Sequence, residues 1–235
     1  MSYIGENNYF SFRDGYCETL PDVRIGTTEA VSLGRIISNI YGRCSLGCDG
    51  FSHNRFLHSM SSGIAESGKD VCLCEDTDLQ SFKFSLHKTS AECGIYVSGK
   101  DTLKIYFFDK NGFLLNDSAL ERIMLGSPAL GAVKKGRIDA VTSFRDIYIK
   151  SIKESCTDKP LPFSAGVSCG NESVRKLWEE FFRREDDSLI FQVSDNGQRV
   201  NAYSSTEGFI SCEKLILAYS SLLSESGQVV WLPDE

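Results

Sequence analysis

The sequence lacks long apolar runs, clusters of basic residues and a secretory signal. A helix that spans a bilayer needs about 20 consecutive, mostly apolar residues, so we expect no membrane segment. Residues 1–12 do not show the basic-then-apolar layout of an export signal, which favours a cytoplasmic location. The net charge is −7 and the isoelectric point is near 5.1, so a nucleic-acid partner is disfavoured.

Cys-x-x-Cys pairs are also absent, although nine cysteines are present in 235 residues. An odd number of cysteines without an export signal argues for reduced, structural thiols, because buried Cys packs as a small hydrophobic residue. The cysteines that lie in predicted buried strands are Cys44, Cys72, Cys74 and Cys93. The alternative is a metal site formed by Cys48, His53 and His58, but closed zinc sites usually have four ligands at tighter spacing.

Helical and strand-like segments alternate along the chain. Apolar residues at helical spacing predict helices over 28–41, 55–67 and 139–154. Asp78, Asp117, Asn171 and Ser211 are candidate N-caps of further helices. Short apolar runs between these helices, and QVVWLP at the end, predict strands. The pattern therefore predicts a soluble α/β protein with mixed sheets covered by helices.

A Gly-rich stretch over residues 125–136, LGSPALGAVKKG, is typical of a linker between two units. It predicts a first domain over residues 1–130 and a second domain over residues 137–235. Periodicity indicates no function for either domain.

The most informative stretch is GIYVSGKDTLKIYFFDKNGFLL, residues 94–115. It predicts two strands joined by a tight turn at Ser98 to Asp101, followed by a polar turn at Asp109 to Gly112. The stretch resembles the active-site segment of the phosphohexomutases, the phosphoglucomutases, phosphomannomutases and phosphoglucosamine mutases. In that family the first strand leads into a loop with a phosphorylated serine. Ser98 is the residue nearest to that position, and no His, Asn or Pro accompanies it.

Two other first-domain motifs of that family have partial counterparts. FRDGYCE resembles the segment Gly-Thr-Asp-Gly-x-Arg, with Asp14 and Gly15 retained and Cys17 in the place of the arginine. LGCDGFSHN resembles Gly-Arg-Asp-x-Arg. In this second motif Gly47 and Asp49 are retained, whereas Cys48 and Phe51 replace both arginines. Arginine binds phosphate through paired hydrogen bonds, which Cys and Phe cannot form.

The metal loop of the family, Asp-x-Asp-x-Asp-Arg, resembles SDNGQR in this chain. Arg199 matches, but Ser194, Asn196 and Gln198 stand where the three metal aspartates belong, and Asp195 is out of register. The resemblance therefore implies a second domain shorter than usual, only the first elements of a third domain, and no fourth. It also implies that Mg²⁺ binding is lost and that no cofactor is required, because Mg²⁺ prefers carboxylate oxygens.

Three functions are compatible with this resemblance. The first is a catalytically inactive relative that binds a protein, an active mutase among the options, or forms a homo-oligomer. The second is a sugar-phosphate sensor whose candidate cations are Lys100, Lys104 and Arg199. The third is a divergent phosphohexomutase, or half of a split one whose other domains lie on another chain. The plainer interpretation is that the two lysines are solvated charges and that Arg199 forms an ion pair at the surface. For Ser98 the plainer interpretation is a structural position in a tight turn.

Overall fold

The computed structural model describes residues 10–13, 16–19, 26–49, 53–99, 102–141, 144–155, 164–182 and 188–227. The chain divides into two compact units, Met1–Ile152 and Lys153–Glu235. Among the described residues, no helix is long and apolar enough to cross a membrane.

The first unit contains a seven-stranded mixed sheet. Its strands are β1 (Phe10–Arg13), β2 (Tyr16–Thr19), β3 (Cys44–Cys48), β4 (Val71–Cys74), β5 (Cys93–Ser98), β6 (Lys104–Asp109) and β7 (Ile138–Ala140). They lie in the order β1-β2-β6-β5-β3-β4-β7. Strand β3 pairs in parallel with β4 and β5, and β7 joins β4 in parallel, whereas β6, β2 and β1 are added antiparallel.

Helices cover both faces of this sheet. They are α1 (Thr27–Ile40), α2 (Asn54–Glu66), α3 (Leu79–Thr89), α4 (Asp117–Met124) and α5 (Phe144–Ser155), the last of which crosses the boundary between the units. One core cluster joins α1, α2 and α4 to the sheet, and a second joins α3 and Phe144 to the other face. Every residue of β3, β4 and β5 is buried, as expected for parallel strands covered on both faces.

Helices α1 and α2 approach each other closely at two glycines. A Cβ atom added at Gly34 would lie 2.3 Å from the carbonyl oxygen of Met60, and one at Gly63 would lie 2.3 Å from that of Val31. Both distances are far below contact between a carbon and an oxygen. The two backbones therefore pack at a separation that only glycine permits at these positions.

The second unit contains a four-stranded sheet in the order β11-β10-β9-β8. Its elements are β8 (Gly166–Ser168), α6 (Glu172–Glu179), β9 (Leu189–Val193), β10 (Val200–Ser204), β11 (Gly208–Ile210) and α7 (Cys212–Glu225). Strands β8 and β9 are parallel, and the pairs β9–β10 and β10–β11 are antiparallel. The side chains of Asn171 and Ser211 cap α6 and α7, as the sequence predicts.

The α/β class with mixed sheets is confirmed, but several local predictions need correction. Residues 139 and 140, predicted as helix, belong to β7, which extends the first sheet beyond the Gly-rich stretch over 125–136. The division into units falls after Ile152, and the domain bounds 1–130 and 137–235 stay a prediction. Asn116, not Asp117, caps α4. The strand predicted for QVVWLP lies outside the described residues.

We predict that Gly63→Ala destabilises the protein although alanine is the better helix former. Alanine adds about 1 kcal/mol of helix propensity, whereas forcing a methyl group against the Val31 carbonyl costs roughly 1–3 kcal/mol. Urea unfolding should show a net loss of about 1 kcal/mol, and at most about 2 kcal/mol, which is the difference between these two contributions. Ser62→Ala, at the exposed neighbouring position, is the control and should change the stability little. A Gly63→Ala variant as stable as the parent would contradict the close packing.

Candidate functional site

The chain order of the first sheet reverses at β3. From β3 the chain crosses through α2 to β4 on one side, and then through α3 to β5 on the other side. Open α/β sheets bind their ligands outside the carboxyl ends of the strands at such a switch point. In this protein the switch point lies between Cys48 and Asp49, at the end of β3, and Ser98 and Gly99, at the end of β5.

Ser98 is the last residue of β5 and is buried. It pairs with Lys104 across the hairpin and lies on the same face of the sheet as Tyr106, two residues further along β6. Burial raises the pKa of Tyr106, and the interaction with Ser98 partly offsets this increase. The two strands and the hydrogen-bonded turn at Asp109 to Gly112 match the sequence prediction. Ser98 therefore lies at a strand end, on the same face as Tyr106.

The turn after Ser98 is tight at Gly99, which has a φ of +114°. A Cβ atom at this position would lie 1.9 Å from the carbonyl oxygen of Thr102, so the turn requires glycine. Lys100, one of the predicted phosphate-binding residues, lies outside the described residues, as do Asp14, Gly15 and Phe51 from the other motifs.

His53 links the two sides of the switch point, and the sequence analysis did not predict this role. Its Nε2 atom lies 2.7 Å from the Gly99 carbonyl oxygen, to which it donates, and 3.7 Å from Asp49 Oδ1. The His53 side chain is only 13% exposed. The sequence signal at this position is the four-residue spacing between Asp49 and His53. The hydrogen-bond partner Gly99 is distant in the sequence, so the link itself could not be predicted.

The proposed metal ligands Cys48, His53 and His58 do not converge. Cys48 Sγ lies 3.0 Å from Asn54 Oδ1, whereas His58 Nε2 lies 2.6 Å from Glu75 Oε1. No cluster of three or more His, Cys, Asp or Glu side chains suited to a metal occurs within the described ranges.

Two further side chains of interest, Cys17 and Lys104, lie at this end of the sheet. Cys17, the predicted counterpart of a phosphate-binding arginine, is 1% exposed, and burial raises the pKa of its thiol well above the ordinary value. Lys104 Nζ lies 3.8 Å from Glu18 Oε1 and 5.7 Å from the ring centre of Tyr16. Among the described residues of this region, Lys104 is thus paired with the carboxylate of Glu18.

In the second unit, Ser194, Asn196 and Gln198 form one hydrogen-bonded turn between β9 and β10. Ser194 Oγ donates to Asn196 Oδ1 over 2.8 Å, and Asn196 Nδ2 donates to Gln198 Oε1 over 3.0 Å. The backbone N–H of Gln198 also donates to Asn196 Oδ1, and that of Arg199 donates to Ser194 Oγ. The three side chains thus converge and bind one another.

Arg199 follows this turn and is held by α7. Its Nη2 atom lies 2.8 Å from Glu213 Oε1, and both side chains are largely exposed. The pKa of Glu213 is lowered, first by the hydrogen bond from its own backbone N–H, then by one with Ser211, and further by Arg199. The surface ion pair, which was the plainer interpretation of Arg199, is therefore present.

No family model and no curated protein sequence matches this chain. Solved structures do match it. A phosphomannomutase homologue from Thermus thermophilus, described as putative, superimposes with a TM-score of 0.73 at 12% identity, covering 93% of this chain and 62% of that one. A phosphoglucomutase/phosphomannomutase family protein from Burkholderia thailandensis gives a TM-score of 0.71 at 12% identity, covering 90% and 58%.

The fold is phosphohexomutase-like. The chain spans about three fifths of the length of these two mutases, since it covers 62% and 58% of them. At 12% identity the likeness shows the fold alone. A function has to be argued from the side chains described above.

We predict that His53→Ala loosens the switch point. The substitution leaves the Gly99 carbonyl without its donor, which should cost about 1–2 kcal/mol in urea unfolding. His58→Ala is the matched control, because the contact of His58, whose side chain is 54% exposed, with Glu75 should contribute less than about 1 kcal/mol. Equal losses of unfolding free energy in the two variants would show that the His53–Gly99 hydrogen bond contributes no more to stability than the contact of His58 with Glu75.

Proposed function

We propose that this chain is a catalytically inactive phosphohexomutase-like protein that acts by binding another protein. The observation that carries the proposal is the turn at Ser194, Asn196 and Gln198. Its three convergent side chains are uncharged, and their hydrogen bonds are made to one another and to the backbone of the turn.

The residues of this turn do not fit the Mg²⁺ ion that phosphohexomutases imply. Mg²⁺ gives up its water reluctantly and is held mainly by carboxylates. A cation would have to displace the hydrogen bonds to Asn196 Oδ1 and Gln198 Oε1 without a negative charge to offset its dehydration. Asp195, the carboxylate of the turn, points toward Gly170, where an added Cβ would lie 2.6 Å from its Oδ1.

The end of β5 supports the same proposal. A phosphoryl-carrying serine must reach an incoming substrate, and its charge is stabilised by nearby cations. Ser98 is buried on the same face as Tyr106, and the neighbouring Lys104 is paired with Glu18. Both features favour a structural role for this strand end over phosphoryl transfer.

A sugar-phosphate sensor is the less supported alternative. Lys104 and Arg199, two of its candidate cations, are each paired with a glutamate. A phosphate group would have to compete with these carboxylates, which weakens an anion site built on either residue.

We predict no hexose-phosphate mutase activity above background for the purified chain with glucose 1-phosphate or mannose 1-phosphate and Mg²⁺. The physical reason is that three positions of the turn carry no carboxylate for Mg²⁺ and that Lys104, beside Ser98, is paired with Glu18, so the charges that stabilise phosphoryl transfer are weakened. An authentic mutase in the same coupled assay is the positive control. Turnover that Ser98→Ala abolishes would overturn the proposal.

We also predict that the parent chain shows no saturable Mn²⁺ binding at millimolar concentration in a calorimetric titration. Mn²⁺ substitutes for Mg²⁺ at oxygen sites. The variant that carries Ser194→Asp, Asn196→Asp and Gln198→Asp restores three carboxylates on the same turn and should bind the ion. Binding by the parent that Asp195→Asn removes would contradict the prediction.

A further inference from the structure

The sheet of the second unit has two faces that differ in cover. Phe191 and Ala202 are register partners and share one face. The ring centre of Phe191 lies 6.0 Å from that of Trp178 and 4.9 Å from that of Phe182, so the end of α6 covers this face. Ala202 is consequently buried.

The other face carries exposed aromatic side chains. Tyr203 and Phe209 are register partners on β10 and β11, and Ile190 on β9 pairs with Tyr203. Because side chains alternate along a strand, all three lie opposite to Phe191 and Ala202. Tyr203 is 54% exposed and Phe209 is 59% exposed.

Helix α7 carries an apolar stripe that is also largely exposed, with Leu215 and Leu223 half-buried. Leu215, Ile216, Tyr219, Leu222 and Leu223 recur at the spacing that places them on one side of a helix. None of the residues of α7 is buried, and Tyr219 and Leu222 are 64% and 62% exposed. An amphipathic helix of this kind normally has its stripe against a core.

The stripe and the open sheet face are adjacent. The backbone N–H of Cys212, the first residue of α7, donates to Asn201 Oδ1 over 3.0 Å. Asn201 is two residues before Tyr203 and so lies on the same face of the sheet. Within the described residues, the second unit thus presents, side by side, a largely exposed apolar helix stripe and an aromatic sheet face without a covering helix.

We propose that these two surfaces form the interface of a symmetric dimer, in which α7 of each copy packs on the open sheet face of the other. The exposed stripe of α7 needs an apolar surface to pack on, and the open sheet face needs a covering helix. A second copy of the chain supplies both. A twofold axis gives such a self-complementary interface, in which each residue makes its contact twice.

Charge and area are both consistent with a second copy as the occupant. Residues 215–223, LILAYSSLL, contain no charged side chain, so two chains of net charge −7 meet there without local repulsion. The aromatic side chains Tyr203, Phe209 and Tyr219, at about 200 Å² each, leave roughly 350 Å² exposed. With Ile216 and Leu222 the total is roughly 500–600 Å², and polar neighbours complete the ~800 Å² per partner of a standard interface.

The dimer goes beyond the proposed function and is independent of it. A finding of mutase activity would not contradict the dimer, and a finding that the chain is monomeric would not contradict the absence of mutase activity. The two proposals can therefore fail separately.

Sedimentation equilibrium of the full chain over a roughly hundredfold concentration range tests the dimer. We expect a dimer for the parent, and for Leu222→Glu a dissociation constant raised by about tenfold or more, because the new carboxylate would be buried. Leu217→Glu is the matched control. Leu217 is 58% exposed but lies on the opposite side of α7 from the stripe, so its variant should dimerise as the parent does.

Phe209→Glu tests the sheet side of the same interface and should also weaken the dimer. Circular dichroism of each variant checks that it is folded. Amide hydrogen exchange of the parent gives a readout that needs no substitution, since α7 should exchange more slowly at high than at low protein concentration. A monomeric parent, or equal effects of Leu222→Glu and Leu217→Glu, would overturn the proposal.

Discussion

The complete burial of β3, β4 and β5 is the constraint on which the first unit depends. Parallel strands covered by helices on both faces admit no exposed polar side chain, and the space left for each residue is set by the helices. At Gly47 an added Cβ would lie 2.4 Å from the Phe82 ring. Small residues are therefore required where helices lie close to the sheet.

The same constraint explains why cysteine is abundant. Cys44 and Cys93 are register partners at the start of neighbouring strands, and neither is accessible to solvent. Burial raises the pKa of Cys44 to about 12, so its thiol remains neutral at physiological pH. The cysteines in the described residues are present as thiols, as predicted for side chains that pack as small hydrophobic groups.

Sequence patterns predicted the parts of this structure that depend on local contacts. The caps at Asp78, Asn171 and Ser211 each bind backbone N–H groups within three residues, so their spacing is visible in the sequence. Strand β7 has no such signature. It has three residues and an exposed Ile138, and hydrogen bonds between its flanking residues and Val71 and Leu73 of β4 hold it.

In the candidate site as well, contacts between residues close in the sequence were predicted, whereas contacts between distant residues were not. The turn at Ser194 to Gln198 was recognisable because the three positions that resemble the metal loop alternate within five residues. The link from His53 to Gly99 was not, because it spans 46 residues and depends on the pairing of β3 with β5. The exposure of the α7 stripe was also hidden, since the spacing of apolar residues indicates an amphipathic face but not whether a partner covers it.

The turn in the second unit is held by hydrogen bonds between neutral side chains. Three carboxylates that converge within hydrogen-bond distance repel one another and need a cation to balance them. Ser194, Asn196 and Gln198 instead supply donors and acceptors in the same geometry, so each side chain satisfies its neighbour. The ion pair of Arg199 with Glu213 then joins this neutral turn to α7. The turn is thus held by its own side chains, and the helix that follows it is anchored beside the open sheet face.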